Sequence, residues 1–218
     1  MSQIAYDVLG IGNAIVDVMA RTEEDFLVAE GLSKSTMHLI DSARAETLHA
    51  HMQGTAIERS GGSAGNTAAG VASLGGRAAF IGKVADDALG TLYRDDMHAT
   101  GVHFETLPLT GGAPTARSMI LITPDGERTM NTYLGACQAL GPADIDEAVV
   151  TAAAITYLEG YLWDPPEAKK AFRRAAEIAH KAGRKVSITL SDAFCVDRFR
   201  AEFLDLIRTR TVDILFAN

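Results

Sequence analysis

The chain has 218 residues, 47% of them apolar and 22% charged, which allows a sizeable buried core and excludes a disordered segment. A formal charge of −8 disfavours non-specific binding to nucleic acid or to an anionic membrane, while local amides and a few cations still suffice for a phosphate ligand. No apolar stretch approaches the ~18 residues of a membrane helix, and Met1–Asp7 lacks the basic start and apolar core of a signal peptide.

In chain order, Tyr6–Gly12 reads as a buried strand ending in glycines, and Asn13–Ala20 continues as a second strand-like run. Asp41 is placed to cap a helix through about Gln53. The run Ser60-Gly61-Gly62-Ser63-Ala64-Gly65-Asn66 predicts a tight loop feeding a small-residue helix, with Ser63 as its cap and the helix starting near Ala64. Ala78–Gly82 reads as a short strand. Asp86-Asp87 open a further helix, with acids suited to its positive end, that stops near Gly101.

Thr115–Ile122 and Arg128–Leu134 flank an Asp-Gly turn and predict a β-hairpin. Beyond Gly141-Pro142, strands at Ala154–Leu158, Lys185–Leu190 and Val212–Ala217 alternate with helices at Pro165–Ala182 and Asp197–Arg210. Strands spaced by amphipathic helices imply an α/β fold, a parallel sheet with helices on both faces. The whole of 1–218 is expected to form part of one domain, with a small β-sheet lid built from about 14–40 and 112–134.

Ligands of such sheets collect at the carboxyl ends of the strands. Asn13 and Asp17, the Gly61–Asn66 loop, Glu159 and Asp192 all fall there. Carboxylates and amides converging in this way suit a polyhydroxylated ligand, since hydroxyls donate to one and accept from the other. Each residue taken singly reads equally well as a turn or cap. Gly10-Ile11-Gly12 begins a dinucleotide fingerprint, but Ile15 stands where the third glycine belongs. Cys137 and Cys195 are too isolated for a metal site and read as buried thiols in a cytoplasmic protein, and His49 and His51 as surface residues. Arg128 begins a hairpin strand that could fold over the site, where an arginine would meet a transferring phosphoryl group or remain solvated.

Gly61-Gly62-Ser63-Ala64-Gly65-Asn66, followed by Gly82-Lys83-Val84-Ala85-Asp86-Asp87-Ala88-Leu89-Gly90, resembles the first signature of the PfkB, or ribokinase-like, carbohydrate kinases. Gly10–Asp17 is similar to that family's N-terminal sugar-binding segment, and Gly126-Glu127-Arg128 to its lid. The pattern looks most like adenosine kinase and its bacterial relatives. The resemblance implies an ATP- and Mg2+-dependent phosphotransferase acting on a nucleoside or sugar. It implies that Asn13, Asp17, Gly61, Gly62 and Asn66 hold the sugar, that Glu159 contacts it as in ribokinase-type members, and that Arg128 approaches the phosphoryl group.

The family's second signature, Gly-Ala-Gly-Asp with its general base, does not occur in the sequence. Asn218 resembles the first residue of an Asn-x-x-Glu motif that organises magnesium and phosphate. Val212–Phe216 reads as an interior strand. The expectation is therefore an N-terminal portion of a kinase, inactive by itself, with a non-catalytic sugar- or nucleoside-binding module as the alternative. The lid is expected either to cover its own site or to pair in a homodimer.

Overall fold

The computed structural model describes residues 3–52, 54 and 56–217. In chain order these form β1 (Tyr6–Ile11), β2 (Ile15–Arg21), α1 (Glu24–Ala29), β3 (Met37–Leu39), α2 (Ser42–Met52), β4 (Ile57–Gly61), α3 (Ser63–Ser73), β5 (Ala78–Ile81), α4 (Ala88–Ala99) and β6 (Val102–His103). There follow β7 (Ala116–Ile122), β8 (Arg128–Tyr133), α5 (Glu147–Ala152), β9 (Ala153–Glu159), α6 (Pro166–Lys181), β10 (Lys185–Thr189), α7 (Ala193–Arg208) and β11 (Ile214–Phe216).

Six strands make a parallel sheet in the order β11-β10-β9-β1-β5-β6. Its strands are apolar on both sides, as a sheet covered on both faces requires. Leu9, Ile11, Ala79, Ile81, Leu158 and Ile188 bury against the Ala171, Phe172, Ala175 and Ala179 stripe of α6, with Trp163 beside it. That stripe repeats every three to four residues, the spacing of one helical face. Ala78 and Phe80 bury on the opposite face, in the cluster that holds Ala64 and Ala68 of α3 and Tyr93 and Met97 of α4.

Five strands make the second, mixed sheet, in the order β3-β8-β7-β2-β4. The expected hairpin is β7–β8, antiparallel from Arg117 opposite Tyr133 to Ile122 opposite Arg128. Sequence reading placed this sheet in about 14–40 and 112–134; β4, from 57–61, joins it as well, antiparallel to β2. Val16, Val18, Ala20, Met119 and Leu121 bury one face against Leu27 of α1 and Leu48 and Met52 of α2. The other face carries Asp17.

Two local expectations are corrected. α3 begins at Ser63 with Gly62 as its cap residue, and the Ser63 hydroxyl turns instead to Glu159. α7 begins at Ala193 rather than Asp197, because the Asp192 carboxylate accepts from the Cys195 amide at 2.8 Å and caps the helix there. β11, read as an interior strand, is the outermost strand among the described residues, with Phe216 54% exposed.

Candidate active site

The chain passes from the parallel sheet to the lid sheet at Gly12–Ala14 and returns at Gly62, and the candidate site forms where these two crossings meet. Gly62 has φ +83°, a conformation that favours glycine, and a Cβ there would land on the carbonyl oxygen of Asn13. A Cβ on Gly61 would land on the carboxylate of Asp17. The diglycine therefore brings the β4–α3 turn against Asn13 and Asp17 with no side chain between. Tyr93 of α4 donates to the Gly61 carbonyl at 3.1 Å, and Asp96 accepts from the Ser60 amide at 2.8 Å, which fixes the turn from below.

Asp17 sits mid-strand in β2. Burial raises its carboxyl from the ordinary value to about 6, against the opposing pull of the Arg128 guanidinium. Among the described residues no hydrogen-bond donor reaches that carboxylate. A largely buried acceptor without an internal partner is costly to keep, and its open side faces the crossing of the two sheets. Asn66 stands exposed in the first turn of α3. Arg128 is exposed at the first position of β8.

Glu159, at the end of β9, has a different environment. It is 1% exposed, and both of its oxygens are engaged within the chain. Oε2 accepts from the Asn13 amide at 2.6 Å and from Asn13 Nδ2 at 2.9 Å. Oε1 accepts from the Ala64 amide at 3.1 Å and from the Ser63 hydroxyl. Burial pushes its carboxyl up from the usual range while these four donors pull it back. Expected as a sugar contact, Glu159 is thus turned inward onto the residues that border the site. Asn13 is itself buried, at 3% exposed. Asn218 lies outside the described residues.

The strand register orders the Asp17 face of the lid into rows. Arg59, Asp17, Ser118 and Thr132 lie side by side across β4, β2, β7 and β8. The next row on the same face is Ile57, Met19, Ile120 and Met130. A polar row and an apolar row thus run in parallel. Sequence reading missed this apolar row, because Ile15–Ala20 is apolar at both parities and alternation alone does not say which parity faces a ligand. It also missed Asp87 as a latch. That side chain accepts from the Gly90 amide at 2.7 Å and from the amide and hydroxyl of Thr115 at 2.8 and 2.6 Å, tying the entry of β7 to the start of α4. Cys137 and Cys195 are free and buried, as expected, and His49 and His51 pair with Glu58 and Glu30.

Residues 33–218 match the sequence model of the pfkB family carbohydrate kinases. The fold is similar to the crystal structure of adenosine kinase from Sinorhizobium meliloti, with 62% identity and a TM-score of 0.88 over 98% of this chain and 65% of that one. It is equally similar to that of a probable sugar kinase protein from Rhizobium etli CFN 42, with 58% identity and a TM-score of 0.90 over 99% of this chain and 65% of the other. A curated relative, the ATP-dependent ribose-1-phosphate kinase of Halopiger xanaduensis, is 34% identical over 158 residues, 72% of this chain and 49% of its own length. The chain therefore spans about half the length of that relative and just under two thirds of the two solved structures.

Proposed function

The chain belongs to the pfkB family of carbohydrate kinases, and on that premise we propose that it holds a nucleoside for transfer of a phosphoryl group to its hydroxymethyl oxygen. The observation that carries this reading is Asp17, a largely buried carboxylate that lacks a donor among the described residues and lies against Gly61. Ionised, it accepts from two vicinal hydroxyls of a furanose ring. Asn66 can both donate to and accept from the same ring, and the bare backbone of Gly61 and Gly62 lets the sugar approach closely. Asn13 lines the same turn.

A nucleoside rather than a free sugar is supported by the row beside Asp17. Ile57, Met19, Ile120 and Met130 offer a strip that fits the flat apolar face of a base, while Ser118 and Thr132 stay level with the sugar-binding carboxylate. The solved relative named an adenosine kinase makes adenosine the first ligand to try.

The family implies ATP with magnesium as the donor. Among the described residues no group of three or more His, Cys, Asp or Glu is placed to hold a metal ion. The part of these residues is to bind and orient the acceptor and to exclude water from it. Arg128, exposed on the lid and within electrostatic reach of Asp17, would bring positive charge to a transferring phosphoryl group. The general base of the Gly-Ala-Gly-Asp signature has no counterpart in the sequence, so we further propose that these 218 residues alone bind the acceptor without turnover.

The test is calorimetric binding of adenosine and of ribose, paired with phosphorylation assays in ATP and magnesium. Adenosine binding with no turnover by the 218 residues supports both proposals. Turnover by this chain overturns the second, and failure to bind either ligand overturns the first.

A further inference from the structure

Glu159 is the one buried carboxylate at the site whose oxygens are already taken. Its two oxygens face two different crossings between the sheets: Oε2 holds Asn13, on the way into the lid, and Oε1 holds Ser63 and Ala64, on the way back. The packing beneath it is tight, since a Cβ on Gly12 would stand 2.8 Å from Glu159 Oε2 and 2.7 Å from the Ala64 side chain. Resting on the nucleoside-site reading, we propose that Glu159 is a positioning residue: it fixes Asn13 and the Gly62–Asn66 turn against each other from below, without touching the ligand.

The chemistry requires a carboxylate. Four donors converge on two oxygens, and only an ionised carboxyl offers acceptors on both sides at once. A glutamine has one carbonyl oxygen, and its amide nitrogen would face a pair of donors. Either Asn13 or the Ser63–Ala64 pair would then lose its anchor, and the two borders of the site would no longer be held at one separation. Misplacing a binding group by a fraction of an ångström is enough to weaken a ligand that must meet both borders.

The test is a double-mutant cycle on adenosine affinity, measured by calorimetry on the protein expressed from its own gene. Glu159→Gln is expected to weaken adenosine at least tenfold. Combined with Asn13→Ala the losses should fall clearly short of multiplying, because part of what Glu159 does is to hold the Asn13 side chain. Combined with Asp17→Ala the losses should multiply, since Asp17 is held independently. Losses that multiply with Asn13→Ala as well would mean that Glu159 contacts the ligand directly, and would overturn the inference.

Should Glu159→Gln fail to fold, Ser63→Ala takes its place in the same cycle, with a smaller expected loss of about threefold that shrinks in the Asn13→Ala background. A loss undiminished there would again overturn the inference. If Asp17→Ala and Asn13→Ala weaken adenosine while Glu159→Gln binds as wild type, the positioning role falls and the site reading stands. If none of the three changes affinity, the site reading itself falls.

Discussion

Replacing Asp17 by Asn separates what the residue costs the fold from what it does for a ligand. Burial holds the carboxyl at about 6 in the folded protein against an ordinary value of 3.8. The folded state therefore binds more protons than the unfolded chain between those two values. Across that window stability falls as pH rises, and the full cost is present above pH 7. Two units at about 1.4 kcal/mol each give an upper figure of about 3 kcal/mol. Water on the open side of the cleft screens the charge and brings the figure nearer 1–2 kcal/mol. The neutral, isosteric Asp17→Asn variant should thus be more stable than the wild type by roughly that amount at pH 7. Its gain should shrink progressively towards pH 4.5, where the folded wild type holds this carboxyl protonated and neutral and most of the cost of burying its charge is gone. Adenosine affinity should meanwhile drop at least tenfold, because one carboxylate oxygen is replaced by a donor. Urea denaturation at pH 4.5, 5.5 and 7, with calorimetry on the same samples, reads both. A variant less stable at pH 7, or a gain that does not vary with pH, would refute the reasoning.

Further outcomes follow from the same geometry. In the wild type, adenosine binding should be flat above pH 7 and weaken roughly tenfold between pH 7 and pH 5, as the ionised fraction of a group titrating near 6 falls from ~0.9 to ~0.1; calorimetry across that range checks it. Arg128→Ala should leave stability within about 0.5 kcal/mol of wild type, since the residue is exposed. Because its charge opposes the rise of the Asp17 carboxyl, the same change should move the midpoint of the binding profile to higher pH. Gly62→Ala should destabilise the fold by about 2 kcal/mol or more, because φ +83° and the Asn13 carbonyl both exclude a methyl group; urea denaturation measures this. Asp87→Ala removes the cap of α4 and the Thr115 latch together and should cost about 1–3 kcal/mol at neutral pH. Burial works against the Asp87 charge, but hydrogen bonds from Thr115 and Gly90 hold its carboxyl below 3.8. That stabilisation is therefore present above pH 4 and lost as pH falls further, which a pH series of the same denaturation experiment would show.

Much of this was legible beforehand because the signals are local. Gly-Gly before a small-residue helix, Asp-Gly between two β-rich runs, and the alternation of apolar strands with the Ala-rich face of α6 each fix an element through one chemistry. What escaped depends on partners far apart in sequence. Glu159 meets Asn13 across 146 residues and Ser63 across 96, and no spacing rule says whether a carboxylate at a strand end looks outward to a ligand or inward to amides. Ser63 was misplaced for the same reason: a serine next to a helix start is the usual cap, and only the buried carboxylate beneath it draws the hydroxyl away. Membership of β4 in the lid was hidden because Ile57-Glu58-Arg59-Ser60 is polar enough to pass for a loop, as an edge strand can be. The apolar row beside Asp17 became visible only when register set the four strands side by side.

The central claim is that Asp17 and the Gly61–Asn66 turn form a site for the sugar of a nucleoside. Titrating adenosine and ribose into the wild-type protein and its Asp17→Ala variant tests it most directly. Saturable adenosine binding, tighter than ribose and weakened at least tenfold by the substitution, is the predicted result. Adenosine binding that is indifferent to Asp17→Ala would contradict it.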